Sequence, residues 1–375
     1  MPMRLFRCQN CSSVLFFENN HCLTCNHALG YIPELQTLTV LEATEDGLWR
    51  GRVGGSQPQA LYRKCLHYQR DAACNWLVAA DDPNELCQSC RLTRKLPDLS
   101  IPALRQQWSR LEAAKRRLCY GLTSLGLELR PKFQDPQVGV AFEFLADAPG
   151  LHIATGHDQG VITINCAEAD DVVRERTKVD LHESYRTLLG HFRHEIGHYY
   201  WDVLIKDSPL IDQFRSRFGD ERADYAAAQA HYYTNGPAPD WTSHSISAYA
   251  TMHPWEDWAE TWAHYLHMVD TVEIGGQFGI TLASLHGGLP PSARVSMPKQ
   301  TPDSLDGLLA AWFPLSYAVN SLNRGMGLPD WYPFTLASEA IEKLRFVHHL
   351  IAHTARGVPP PAPVMTPSDL SAAPR

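Results

Sequence analysis

The chain of 375 residues contains no run of 18 or more apolar residues, so no segment is expected to span a membrane. Its opening stretch, MPMRLFRCQNCSS, lacks the apolar segment and small-residue cleavage site of an export signal, and the expected location is the cytoplasm. A surplus of positive charge is missing too. Lys and Arg number 33 against 41 Asp and Glu, a formal net charge of −8. A general nucleic-acid-binding surface is normally basic, so nucleic acid is not an expected partner. Internal repeats are absent. The hydrophobic share of 44% is ordinary for a globular protein, and the length allows two or three domains.

Cysteine is present but unevenly spread: eight of the ten lie within the first 90 residues. In a chain without an export signal they read as metal ligands rather than disulfides. Cys8 and Cys11 (CQNC) are separated by ten residues from Cys22 and Cys25 (CLTC). Each C-x2-C forms a tight knuckle aiming two thiolates the same way, and two knuckles complete a tetrahedral Zn(Cys)4 site. So short a segment cannot bury a sufficient core, so metal binding and folding would be one event. The arrangement resembles a zinc ribbon. Cys65, Cys74, Cys87 and Cys90 predict a second structural zinc, with His67 as a substitute ligand, although only Cys87 and Cys90 form a knuckle. Cys119 and Cys166 have no partner by spacing and read as buried thiols. Ribbons commonly dock, so a docking partner is expected.

The chain is expected to divide into a zinc ribbon (1–30), a second cysteine-rich segment (31–98), a helical linker (99–130), a large domain (131–355) and a disordered Pro-rich tail (356–375). In the linker, Leu104, Trp108, Leu111 and Leu118 share one helix side. VGVAFEFLA and GVITINCAE read as strands separated by the turn-rich HDQG. Beyond residue 181 the pattern is mostly helical.

HFRHEIGHYYWD, residues 191–202, holds the pattern H-E-x-x-H. Leu188, Phe192, Ile196, Tyr199 and Val203 recur at three- and four-residue steps, which places the motif on a helix. His194 and His198 are then one turn apart on a shared face and able to bind one zinc. Glu195 is offset by about 100° and reaches a water beside the metal rather than the metal. A catalytic zinc has three protein ligands and an open position, so a third ligand must come from downstream. Asp202 lies too far along the helix and suits a supporting or capping role. Two segments offer carboxylates. FGDERADY supplies Asp220, Glu221 and Asp224, which a helix dipole would also favour. HPWEDWAETWAHYLH supplies Glu256 and Glu260 amid tryptophans, where an unpaired carboxylate is costly.

HEIGH followed by EDWAETWAHYLH resembles the gluzincin branch of zincin metallopeptidases, whose third ligand is a glutamate on a later helix. The phrase is similar to the corresponding segment of zincins related to the anthrax lethal factor catalytic domain, and this resemblance implies Glu260 as the ligand. DERAD is similar to another gluzincin third-ligand segment, with Asp220 where glutamate is expected; Asp220, Glu221 and Glu256 stay as alternatives. His264 is a candidate partner for the Glu260 carboxylate. From about residue 4 to 350 the chain resembles a bacterial family of zinc-binding metallopeptidases with an N-terminal zinc ribbon. The implied fold class is α+β: a zincin-like domain, mostly helical with a small sheet, behind the ribbon.

The implied chemistry is hydrolysis of a protein or peptide by zinc-assisted water attack, with Glu195 as general base. Tyr249 is the candidate transition-state donor and His253 its runner-up. GVITINCAE is expected to be an edge strand that aligns the peptide. The alternatives are a ribbon-based adaptor with a structural zincin-like part, and a zinc amidase acting on a non-peptide amide.

Overall fold

The computed structural model describes residues 5–53, 60–180, 187–283 and 294–356; the expected tail beyond Arg356 lies outside them. The cysteine-rich half begins with β1 (Phe6–Arg7) and β2 (Val14–Leu15), paired antiparallel across the first knuckle. A five-stranded antiparallel sheet follows, made of β3 (Leu29–Ile32), β4 (Thr37–Ala43), β5 (Trp49–Gly51), β6 (Leu61–Lys64) and β7 (Leu77–Ala79), in that order. The short helix α1 (Leu66–Gln69) joins the last two.

Strand β8 (Thr93–Lys95) then crosses into the second half. Helix α2 (Pro102–Ser124) follows, and β9 (Ala141–Leu145) returns to pair parallel with β8. With β10 (Gly156–Asp158) and β11 (Val161–Asn165) they form a sheet of order β10-β11-β9-β8, in which only β10 runs antiparallel to its neighbour. β11 is therefore an interior strand, not the expected edge. Its alternation has another cause: Ile162 and Ile164 are fully buried in the core. The edge is β10, hidden in what reads as a turn.

The rest is helical: α3 (Asp171–Asp180), α4 (Leu188–Leu204), α5 (Ile211–Phe218), α6 (Tyr225–Asn235) and α7 (Pro254–Gln277). A hairpin of β12 (Thr281–Ala283) and β13 (Arg294–Ser296) leads to α8 (Leu305–Gly325) and α9 (Ser338–Ala355). No helix among the described residues is long and apolar enough to cross a membrane.

Helix α2 departs from a linker. Pro102 at its start supplies a preset helical φ and lacks only an N–H that would have no partner there. Trp108, Leu111, Leu118 and Leu122 are buried, and the helix packs against α4. Tyr120 points back into the cysteine-rich half, with its ring 4.7 Å from Phe17 and 5.6 Å from Tyr31. One continuous hydrophobic cluster runs from Phe6 to Ile351. The two halves share a core, and α2 lies within it.

Helices α4 and α7 pack closely because Gly197 has no side chain. A Cβ there would sit 3.1 Å from Ala259 Cα and 3.2 Å from Trp262 Cβ. Gly197→Ala is expected to force the helices apart and cost about 1–3 kcal/mol. A lowered Tm, together with weaker metal retention at the site below, checks this; an unchanged Tm contradicts it.

Candidate active site and metal centres

Two helix starts aim the central residues. Thr187 caps α4, its hydroxyl accepting from the Gly190 N–H at 3.0 Å. His253 caps α7: Nδ1 accepts from the Trp255 N–H at 3.1 Å, and Nε2 donates to the Ala223 carbonyl at 3.1 Å. Both ring nitrogens of His253 are thereby engaged, which removes it as the runner-up transition-state donor. It positions α7 instead.

On α4, His194 and His198 bring their Nε2 atoms within 3.2 Å of each other. Glu256, in the first turn of α7, places Oε2 2.9 Å from His194 Nε2 and 3.5 Å from His198 Nε2. The three residues are buried, and these ligand atoms all lie within 4.8 Å of one another. Glu260 stands elsewhere. Its Oε1 accepts from His194 Nδ1 at 2.7 Å, while the Ser247 hydroxyl donates to Oε2 at 2.5 Å. Here the structure departs from the expected Glu260 ligand: one helical turn separates the carboxylates, and each takes a different nitrogen of the same imidazole. The Glu260 bond engages Nδ1 and so fixes the ring with its Nε2 edge towards Glu256 and His198.

The electrostatics follow from this crowding. Burial alone would lower the His194 pKa, but hydrogen bonds and charge from Glu256 and Glu260 raise it well above the ordinary imidazole range. Burial would likewise raise both carboxylates, yet the histidines hold Glu256 well below its usual value and Glu260 down to about 2. The cluster is thus anionic acceptors around imidazoles that attract a cation. Two imidazole nitrogens and one carboxylate oxygen are a donor set of catalytic zinc, and they fit that ion. Glu195, also buried, has an Oε2 with no hydrogen-bond partner among the described residues.

The other acidic candidates are committed elsewhere. Asp220 pairs with Arg222 at 2.8 Å and Glu221 with Arg215 at 2.5 Å, while Asp224 caps α6. Asp202 sits near Lys206 and His157, at 3.8 and 3.9 Å. His264 lies close enough to act on Glu260 electrostatically, but its Nδ1 meets the Tyr332 hydroxyl at 2.7 Å.

A cleft of about 850 Å³ opens onto the cluster. Edge strand β10 and the residues before it form one wall; Tyr225, Tyr249 and Trp255 lie on the others. Tyr249 has its ring 6.0 Å from that of His194. Three supporting residues escape sequence reading. Tyr225 donates its hydroxyl to Glu256 Oε1 at 2.8 Å. Trp255 lays its ring 3.8 Å from that of His198, and Ser247 holds Glu260 as above. Asp224 as a helix cap would place Tyr225 in the first turn of α6, but nothing in the sequence directs that turn towards α7.

The cysteines gather as their spacing predicts. Cys8, Cys11, Cys22 and Cys25 form one group, with Sγ distances of 3.6 Å between Cys8 and Cys25 and between Cys11 and Cys22. The two knuckles repeat one geometry. Ser12 and Asn26 each take a left-handed φ, 61° and 59°, and donate their N–H to Cys8 O and Cys22 O at 2.8 Å. Cys65, Cys74, Cys87 and Cys90 form a second, wholly buried group. Backbone N–H groups of Trp76, Cys87 and Cys90 approach the sulfurs of Cys74, Cys65 and Cys87, each at 3.4 Å. Four thiols in each group are the donor set of a closed structural zinc and fit it. His67 is not in the second group; its ring packs edge-on to Trp108 at 5.1 Å. Cys119 and Cys166 are lone buried thiols, pushed up by burial to about 11 and about 12.

Comparison with known proteins agrees with this geometry. Residues 104–350 match the profile of a family described as "Putative zinc-binding metallo-peptidase", and residues 5–101 match a zinc-ribbon domain. An uncharacterized protein of Mycobacterium tuberculosis is 41% identical over 354 residues, covering 94% of this chain and 96% of the relative. An uncharacterized protein of Mycobacterium bovis matches to the same extent. No solved structure matches the chain. The chain belongs to this zinc-binding metallopeptidase family, its helical peptidase-like part preceded by a zinc ribbon.

Proposed function

We propose that the protein is a zinc-dependent peptidase, a hydrolase of peptide bonds of the zincin type. The observation that carries this is the buried Glu195, which lines the same cleft as His194, His198 and Glu256 and whose Oε2 has no hydrogen-bond partner among the described residues. A site built only to hold a structural ion has no use for such an acceptor. His194, His198 and Glu256 hold the catalytic zinc, and the two cysteine groups hold one structural zinc each, three in all. Zinc at the catalytic site supplies a Lewis acid that lowers the pKa of water to about 7 and polarises a carbonyl.

The chain's own residues do the rest. Glu195 takes a proton from the attacking water and delivers it to the leaving amine. Glu260 and Ser247 fix the orientation of His194. Tyr225 steadies Glu256 with its hydroxyl, and Tyr249 provides a hydroxyl donor along the cleft. The edge of β10 aligns an extended peptide by backbone pairing.

The test is hydrolysis of an unfolded polypeptide by the zinc-loaded protein, with the products identified by mass. Cleavage that a chelator stops and added zinc restores supports the reading. Tyr225→Phe is expected to lower kcat more than Tyr249→Phe, because Tyr225 holds Glu256 in place. A protein that carries zinc on the three residues yet cleaves neither folded nor unfolded polypeptide contradicts the assignment.

A further inference from the structure

We propose that Arg116 is the counter-charge of the second cysteine centre, and that helix α2 makes occupancy of that centre a condition for the integrity of the hydrolytic site. This rests on the reading of Cys65, Cys74, Cys87 and Cys90 as zinc ligands.

A zinc ion bound by four thiolates has a formal charge of −2. The first centre leaves Cys11 and Cys25 partly open to solvent, which screens such a charge. In the second centre all four cysteines are at most 2% exposed, so compensation must come from the protein. Helix α2 supplies it. Its residues Glu112, Lys115 and Arg116 are buried. Lys115 is already paired: Nζ lies 2.9 Å from Glu112 Oε2. No carboxylate among the described residues pairs with Arg116, whose guanidinium donates to the carbonyl of Ala73, the residue before Cys74. Arg116 is thus the net positive charge at this centre, and the three N–H···S contacts described above take up part of the remainder. Helix α2 also packs on α4, the helix carrying His194, Glu195 and His198.

The experiment follows zinc release from the full-length protein into a chromogenic chelator. Arg116→Gln keeps hydrogen-bond donors for Ala73 but no charge. It is expected to release one of the three zincs about 10–100-fold faster than wild type, the range seen when outer groups of metal sites are removed. Arg116→Lys is expected to release zinc at close to the wild-type rate. Cys90→Ser is expected to lose the second-centre zinc, lower the Tm and weaken retention of the catalytic zinc. Release from Arg116→Gln at the wild-type rate overturns the counter-charge. A Cys90→Ser protein with unchanged Tm and catalytic zinc overturns the coupling through α2. If the wild-type protein releases only two zincs, and the count is unchanged when Cys87 and Cys90 are both replaced by serine, the cluster holds no zinc and the underlying reading fails instead.

Discussion

Alanine at position 256 is expected to cost the protein one zinc ion and all of its hydrolytic activity, while alanine at 260 leaves the ion in place but bound about 10–100-fold more weakly. The contrast comes from where the two carboxylates meet His194. Glu256 approaches Nε2, beside the Nε2 of His198, so its removal breaks the three-atom set. Glu260 approaches Nδ1, so its removal frees the ring to turn and lose its tautomer without taking away a ligand. Metal analysis after gel filtration, followed by chelator competition, separates the two. Retention of all zinc in Glu256→Ala, with loss in Glu260→Ala, would reverse the assignment.

Glu195→Gln is expected to lower kcat by roughly 10²–10⁴-fold with zinc content unchanged, the range for loss of a positioned general base. The amide is nearly isosteric, so helix α4 with His194 and His198 stays in place, but it cannot accept the proton of the attacking water. Because Glu195 Oε2 has no protein partner among the described residues, the substitution breaks no hydrogen bond at that atom, and an unchanged Tm is part of the expectation. Activity equal to wild type would sink the mechanism. A fall in both activity and zinc would show that Glu195 also holds the ion.

Much of this was readable in the chain itself. The 191–202 helix follows from apolar residues at three- and four-residue steps, and the first cysteine group follows from paired spacing, because both signals are local. Which carboxylate joins His194 and His198 in the proposed site is not readable there. Glu256 and Glu260 stand one turn apart on the same face of α7 and both reach His194, so the choice depends on how α7 slides along α4. That register is set by Gly197 against Ala259 and by the His253 cap, which are tertiary facts. The edge strand was missed for a related reason: three residues, Gly156–Asp158, carry no periodicity, and the neighbouring β11 alternates only because one side of it meets the core. The acidic DERAD segment needs no metal, because arginines as close in sequence as Arg215 and Arg222 satisfy it.

The placement of Tyr120 among Phe17 and Tyr31 bears on how such chains are inherited. Cassette exchange between genes needs modules that are each watertight when separated. A cut near residue 102 separates Tyr120 from Phe17 and Tyr31, so either half joined to a foreign partner is expected to lose this packing. The ribbon and the metallopeptidase-family part are therefore expected to descend as one unit, and sequence change to accumulate in surface loops instead.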